Sequence, residues 1–275
     1  MRRLLIATAF FAACVVALSF LALPLVALFT HVPPGTLLHQ LSNPVVGDAL
    51  VVSAKTSAVA QVLILALGTP TAYLLASRRF PGRTALVTLV ELPIVLPPAA
   101  AGIGLIVAFG RFGLLGGTFS ALGIDVSFNQ AAVVLAIAFV AGPFYVRGAI
   151  AAFEAVDSQL VMASRTLGAG PVRTFFRIVM PLARGGLAAG AALSLARGLG
   201  EFGATIMFAG SLRGVTQTLP LAIYYEFDVN LNVALAVAAL LVVIAAAILL
   251  SLKLSSLWAS SRSPSRYRYA ITTSS

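Results

Sequence analysis

The chain has 275 residues, of which 60% are hydrophobic and 9% are charged, and its mean hydropathy is +1.04. Because a globular domain carries about a quarter charged residues, this composition excludes a large water-soluble core and predicts a membrane protein. The net charge of +10 does not indicate nucleic-acid binding, because the basic residues separate apolar runs and do not cluster on one face. The single cysteine, Cys14, excludes a disulfide or a cysteine-based metal site within one chain.

Six apolar segments are long enough to cross the hydrocarbon core, which needs about 20 helical residues. Four of them contain no acidic or basic residue; the third carries only Glu91, and the fifth only Arg197 and Glu201. In chain order the segments are 4–30, 56–77, 84–110, 126–146, 185–212 and 229–252. The predicted fold class is therefore an all-α membrane protein with six transmembrane helices.

The first segment follows Arg2 and Arg3, as a signal peptide would, but its apolar run continues to Thr30. A signal peptide has an apolar region of only about 7 to 15 residues, so this segment is interpreted as a transmembrane helix. The domains are predicted as an N-terminal helix with an external loop, a main transmembrane domain and a basic, flexible cytoplasmic tail. Their bounds are 1–46, 47–254 and 255–275.

Lysine and arginine are divided unequally between the two sets of loops. Fourteen lie at the chain ends and in the loops around residues 78–83 and 147–184, and two lie in the other loops. Basic residues mark the cytoplasmic side of a membrane protein. We therefore expect a multi-pass protein of the cytoplasmic (inner) membrane with both termini in the cytoplasm.

No pattern for catalysis occurs in the chain. H-E-x-x-H and G-x-S-x-G are both absent, and neither lysine follows a glycine as a P-loop requires. We therefore predict no catalytic residue, no metal site and no cofactor bound by this chain, and any ATP must be bound by another subunit. The stretch 198–203 fits G-x-G-x-x-G but lies inside an apolar segment, which excludes a dinucleotide site.

Two features of the spans have alternative interpretations. Arg197 and Glu201 are four residues apart, on one helix face, where they either form a structural ion pair or line a translocation path. Pro93, Pro97 and Pro98 each remove a backbone donor, so the third span is predicted to be kinked. These prolines either belong to a gate or are packing kinks.

The loop between the fourth and fifth spans is unusually long and predicts two short helices. Asp157 or Ser158 caps the first, and Gly168 ends it. Pro171 suits the first turn of the second. One face of the second helix is apolar and holds Val172, Phe175, Phe176 and Val179. The loop is either an interfacial helix or an element that docks into a groove on a cytoplasmic partner.

This loop resembles the signature of ABC-importer permeases, which reads Glu-Ala-Ala, three residues, Gly, nine residues, Ile-x-Leu-Pro. The glycine, isoleucine and proline positions match, whereas Met162, Ser164 and Met180 depart from the pattern. The missing glutamate removes one possible polar contact with the partner. The resemblance implies a loop that docks an ATPase subunit through Met162, Ala163, Ser164, Leu167, Gly168, Val172, Phe175, Phe176, Ile178 and Pro181.

Three other stretches, 91–104, 196–205 and 216–224, are similar to molybdate and sulfate permeases, and the last points to the molybdate or tungstate branch. The resemblance implies a type I ABC-importer permease bundle, with the type 1 transmembrane domain over 47–254. It also implies a homodimer, two cytoplasmic ATPase subunits that bind ATP and Mg, and an external oxyanion-binding protein. No nucleic-acid partner is expected.

We predict that the proline region of the third span and the glycine-rich stretch 198–203 of the fifth line the path and help to form its gate. The predicted residues are Pro93, Pro97, Pro98, Gly102, Arg197, Gly200, Glu201 and Gly203. Three other functions are kept as alternatives: a sulfate or thiosulfate permease, an ion-coupled secondary transporter, and a structural membrane component without transport activity.

Overall fold

The computed structural model describes residues 2–31, 33–123 and 126–261, and every regular element in those residues is a helix. Most of the predicted tail, 255–275, lies outside the described residues, which end at 261. In chain order the elements are α1 (Arg2–Thr30), α2 (Pro34–Gln40), α3 (Pro44–Ser77), α4 (Arg83–Val95), α5 (Pro98–Phe109), α6 (Gly116–Ala121), α7 (Gln130–Glu154), α8 (Ser158–Thr166), α9 (Pro171–Thr174), a π-helical segment (Phe175–Val179), α10 (Met180–Leu199), α11 (Gly203–Ala209), α12 (Leu219–Val229) and α13 (Leu231–Ser261).

Five of the described helices are long and apolar enough to cross a membrane. They are α1, α3, α7, the continuous run Pro171–Leu199, and α13. The bent pair α4 and α5 brings the number to six when it is counted as one span. This result confirms the predicted all-α fold with six spans.

Two predicted boundaries lie inside helices. α3 begins at Pro44, because the Asn43 side chain caps it by accepting a 3.0 Å hydrogen bond from the Val45 amide. The predicted domain boundary between residues 46 and 47 is therefore within α3. At the other end, α13 continues to Ser261, past the predicted end of the span at 252 and into the predicted tail.

Two predicted spans are broken. The direction of the chain changes by 116° between α4 and α5. Leu96 is extended with ψ of 136°, because a residue that precedes a proline disfavours the helical conformation. The predicted kink at the prolines is thus confirmed. The segment 185–212 is not one helix, because α10 ends at Leu199, α11 starts at Gly203 and Gly210 ends α11 with φ of +68°.

α7 forms the centre of the bundle, with α3 and α10 packed against it. The helices approach closely through small residues: a Cβ on Gly148 would lie 3.1 Å from the Gly190 Cα. Hydrogen bonds between helices add to this packing. Ser194 Oγ donates to the Ala141 carbonyl at 2.9 Å.

The arginine-rich end of the bundle, here called the basic end, holds the loops 78–82 and 155–170. An ion pair between Arg83 and Glu154 joins α4 and α7 there. At the opposite end, Arg213 donates to Asp48 at 2.8 Å. Each end of the bundle thus has one ion pair that joins two elements distant in sequence.

Gly186→Ala is expected to destabilise the bundle, because its Cβ would lie 2.5 Å from the Ala152 Cβ and push α7 and α10 apart. Overpacking of this kind costs about 1–3 kcal/mol. The neighbouring Gly185→Ala is the matched control, since a Cβ there meets nothing within 4 Å. Thermal unfolding in detergent should show a lower Tm for Gly186→Ala and an unchanged or higher Tm for Gly185→Ala. Equal effects of the two variants would contradict the close contact.

Candidate functional site

An ion pair occupies the break between α10 and α11. Arg197 Nη2 lies 2.9 Å from Glu201 Oε2, and Glu201 Oε1 accepts a 2.8 Å hydrogen bond from the Ala204 amide. The contact with Arg197 is an ion pair, and Glu201 Oε2 has no hydrogen-bond partner. The Glu201 side chain is 1% exposed and the Arg197 side chain 29%. The predicted ion pair is present, but not on one helix face, because the backbone has left the helix before Glu201.

The two breaks lie against each other, because α5 packs on α11. A Cβ on Gly203 would lie 2.5 Å from the Pro98 Cβ, and a Cβ on Gly102 would lie 2.6 Å from the Met207 Cβ. The structure thus brings together Pro98, Gly102 and Gly203 from two distant predicted segments. Pro93 lies within α4, Pro97 in the first break, and Gly200 directly after α10. Their role in a path or gate remains a prediction.

The loop between α11 and α12 adds buried polar groups that the sequence analysis did not identify as functional. Gln217 and Thr218 are each 3% exposed, and Ser53 Oγ of α3 accepts a 2.8 Å hydrogen bond from the next amide, Leu219 N. In the part of the chain that the structure describes, Gln217 Oε1, Thr218 Oγ1 and Thr205 Oγ1 are buried without a hydrogen-bond partner. An unpaired buried polar group costs about 1–3 kcal/mol. These groups are therefore candidates to contact water or a polar solute. Consecutive polar residues at 216–218 in an apolar chain were the signal available in the sequence.

The long loop at the basic end contains the predicted helix α8. Asp157 caps it, since Asp157 Oδ1 accepts a 2.8 Å hydrogen bond from the Gln159 amide. Gly168 follows it with φ of +80°, a conformation that favours glycine. The buried Ser164 holds α8 against α9 through a 3.0 Å hydrogen bond between its hydroxyl and that of Thr174. Both predicted boundaries of this helix are confirmed.

The single apolar face predicted for the second helix of this loop is wrong. Phe175 packs inward, with its ring centroid 4.6 Å from that of Tyr73 and 6.1 Å from that of Phe153. Phe176 points outward and is 59% exposed. The reason is the π-helical segment, whose wider turn changes the register of the side chains that follow. The helix also continues through Pro181, which lies in the first turn of α10 and needs no amide hydrogen there.

Four of the large apolar side chains that are exposed in this loop are among the predicted docking residues, and we call these four the coupling surface. Its members, with exposed fractions, are Met162 (57%), Leu167 (87%), Val172 (70%) and Phe176 (59%). A groove of about 610 Å³ lies beside it, lined in part by Leu160, Arg173 and Arg177. The other predicted docking residues differ in burial: Ala163 and Pro181 are exposed, and Ile178 is half-buried. An exposed apolar patch with a basic rim is typical of a protein interaction site.

Comparison with known proteins gives one family match. Residues 68–258 match the model of the family described as "Binding-protein-dependent transport system inner membrane component". The chain is 42% identical over 218 residues to the molybdenum transport system permease protein ModB of Mycobacterium tuberculosis, covering 79% of this chain and 83% of that protein. It is also 42% identical over 178 residues to the protein of the same name from Escherichia coli, covering 64% of this chain and 78% of that protein.

Solved structures with similar folds are transporters. A bacterial alginate ABC transporter, solved with an alginate pentasaccharide-bound periplasmic protein, has a chain that matches with a TM-score of 0.71. The match covers 91% of this chain and 93% of that chain at 16% identity. The MetNI methionine ABC transporter matches with a TM-score of 0.58, covering 74% and 91% at 21% identity. At these identities the similarity shows the fold alone.

Arg197→Gln is expected to destabilise the protein more than Glu201→Gln. Removing one partner of a buried ion pair costs about 3–5 kcal/mol when a buried charge is left uncompensated. Arg197→Gln leaves the charge of the buried Glu201 carboxylate uncompensated. Glu201→Gln leaves the charge of Arg197 uncompensated, but that side chain is partly exposed, and the glutamine still provides an acceptor for the Ala204 amide. Thermal unfolding in detergent should therefore give the lower Tm for Arg197→Gln. The reverse order would mean that the burial of Glu201 does not dominate the pair.

Proposed function

The chain belongs to the family of binding-protein-dependent transport system inner membrane components, and we propose that it is the permease subunit of an ATP-driven importer of molybdate. The observation that supports molybdate as the substrate is the 42% identity to a molybdenum transport permease, in an alignment that covers 83% of that protein. Tungstate, a tetrahedral oxyanion of the same charge, is included in the proposal. The subunit moves the solute and performs no chemistry on it.

The partners proposed for the subunit are a second copy of the chain, two cytoplasmic ATPase subunits that hold ATP and Mg, and an external oxyanion-binding protein. The coupling surface at the basic end supports the ATPase contact, because it presents exposed apolar side chains where the arginine-rich loops place the cytoplasm. The family description, which names a binding-protein-dependent transport system, supports the external partner. The same arginine distribution supports placing both termini in the cytoplasm.

The proposed mechanism rests on one continuous rod. The run Pro171–Leu199 has 29 residues and is therefore about 43 Å long. It begins at the coupling surface and ends at the break that holds Arg197 and Glu201. A push on the coupling surface moves this rod, and α5 and α11 change their packing at its far end. Because packed interfaces switch between discrete arrangements, the result is an alternation between inward-open and outward-open states.

The substrate is tested by ATP hydrolysis in proteoliposomes that contain this chain, its co-purified ATPase and the cognate binding protein. Titration with molybdate, tungstate and sulfate should stimulate hydrolysis with the first two only. Stimulation by sulfate alone would assign the sulfate or thiosulfate alternative. Uptake that needs an ion gradient and no ATPase would overturn the proposal in favour of a secondary transporter, and a correctly assembled but inactive complex would favour a structural role.

Leu167→Asp is expected to uncouple the complex, because it places a charge on the most exposed side chain of the coupling surface. A buried unpaired charge at a protein interface costs several kcal/mol, so ATPase binding should weaken by about tenfold or more. The measurement is ATPase co-purification and molybdate-stimulated hydrolysis. Leu38→Asp, on α2 at the opposite end, is the matched control with a side chain 68% exposed.

Equal loss in the two variants of this pair would mean that the effect is not specific to the coupling surface. A charge at Phe175 is a poorer probe, since that ring packs against Tyr73 and Phe153 and its loss would disturb the fold.

A further inference from the structure

Four ion pairs occur among the residues that the structure describes, and two of them lie within the spans. Arg83–Glu154 and Arg213–Asp48 join loops and helix ends. Arg197–Glu201 lies at the far end of α10, as described above. The fourth pair, Arg147–Glu91, joins α7 to α4, with 3.5 Å between Arg147 Nε and Glu91 Oε1. The proposed function does not yet use it.

The two inner pairs lie at different depths. Arg147 precedes the end of α7 at Glu154 by seven residues, which places it about 10 Å inside the basic end. Its neighbour Gly148 lies against Gly190 of α10. Arg197 is seven residues beyond Gly190 and therefore lies about 10 Å deeper. Since α7 is 25 residues and about 37 Å long, the backbone of Arg147 lies about a quarter of the way into the span from the basic end, and that of Arg197 about halfway.

The Arg147–Glu91 pair is the more exposed of the two. The side chains of Arg147 and Glu91 are 69% and 40% exposed. Charges at membrane depth face the interior of a bundle or a water-filled cavity, because facing lipid is costly. This surface of α7 is therefore expected to face an aqueous path.

A groove lies beside Arg147. It has a volume of about 600 Å³, and its lining includes Ile94 of α4, Arg147 and Gly148 of α7, and Ala189 and Leu193 of α10. Arg197 is four residues after Leu193 and so continues the same face of α10 by one turn. Glycines at 148, 186 and 190, where α7 and α10 approach closely, form part of its lining. Arg147 thus borders the groove, and Arg197, which does not line it, lies one turn beyond Leu193 on α10.

We propose that Arg147 is an oxyanion-contacting residue, the second of two arginine positions at which the solute is held on its way through the permease. A guanidinium group presents paired N–H donors that match two oxygens of a tetrahedral oxyanion. The carboxylate beside each arginine competes with the solute and keeps the affinity low enough for release, as transport requires. The proposal rests on the proposed function for the direction and kind of transport, but it concerns any divalent tetrahedral oxyanion.

The test uses the complete complex in proteoliposomes and measures oxyanion accumulated per ATP hydrolysed. Arg147→Gln should lower this ratio by about tenfold or more, the effect expected when one charge-assisted hydrogen bond is lost. Arg147→Lys, which keeps the charge but not the paired donors, should have an intermediate effect. Arg184→Gln is the matched control: Arg184 is exposed on α10 and does not line the groove, so its loss should change the ratio by less than about twofold.

A double-mutant comparison separates solute contact from a structural ion pair. If Arg147 contacts the solute, Glu91→Gln has a smaller effect than Arg147→Gln, and the double variant is as defective as Arg147→Gln. If the pair is structural, the two single variants are equally defective and the double variant recovers, which would overturn the proposal. An Arg147→Gln complex that transports within about twofold of wild type would overturn it as well.

The proposed substrate and the proposed role of Arg147 can be overturned separately. Elution as a single assembled species and ATP hydrolysis without solute show that each variant has folded. A wild-type complex that is not stimulated by molybdate overturns the proposed substrate whatever the variants do. If the wild-type complex transports sulfate, the same variant series with sulfate decides the role of Arg147.

Discussion

Every backbone polar group inside a bilayer must find its partner within the protein, because hydrocarbon offers none. This chain leaves the helical conformation twice within its spans, at Leu96 and Pro97 and again after Leu199. The structure meets the constraint by packing the two breaks together, with α5 beside α11. That approach requires Gly102 and Gly203, where a Cβ would collide with the facing helix. The break leaves the Ala204 amide without a helical partner, and the Glu201 carboxylate accepts a hydrogen bond from it.

The position of the second break explains the arrangement of the other functional parts. Arg197 lies in the last turn of α10 because the buried Glu201 carboxylate needs a counter-charge there. α10 is continuous with α9 through the π-helical segment, so this ion pair is connected by one rod to the coupling surface. Three aromatic rings pack together near the start of the rod: Phe175, Phe153 of α7 and Tyr73 of α3. These contacts hold the rod against α7 and α3. In the proposed mechanism, force applied at the basic end would therefore reach a place where the backbone has already left the helical conformation.

Much of this architecture could be predicted from the sequence. Long apolar runs, proline positions and capping residues depend on local chemistry, and they gave the spans, the kink at Pro97 and both ends of α8. The break at Gly200 could not be predicted, because it depends on the contact of Gly203 with Pro98, about a hundred residues away. The inward rotation of Phe175 could not be predicted either, since a π-helical turn is stabilised by tertiary packing against Tyr73. Residues 216–218 are polar, so their sequence predicts exposure to solvent. They are buried because the segment packs against α3.

The charges of the spans also bear on selectivity. A guanidinium group recognises charge and the spacing of two oxygens, and these are shared by tetrahedral oxyanions with different central atoms. The two inner arginines therefore cannot by themselves distinguish molybdate from sulfate. Each is also opposed by a carboxylate, closely at Glu201 and more loosely at Glu91, which weakens retention of any anion. In the proposed importer, a path of this kind would admit the solute delivered to it, and discrimination between oxyanions would fall to the proposed external binding protein.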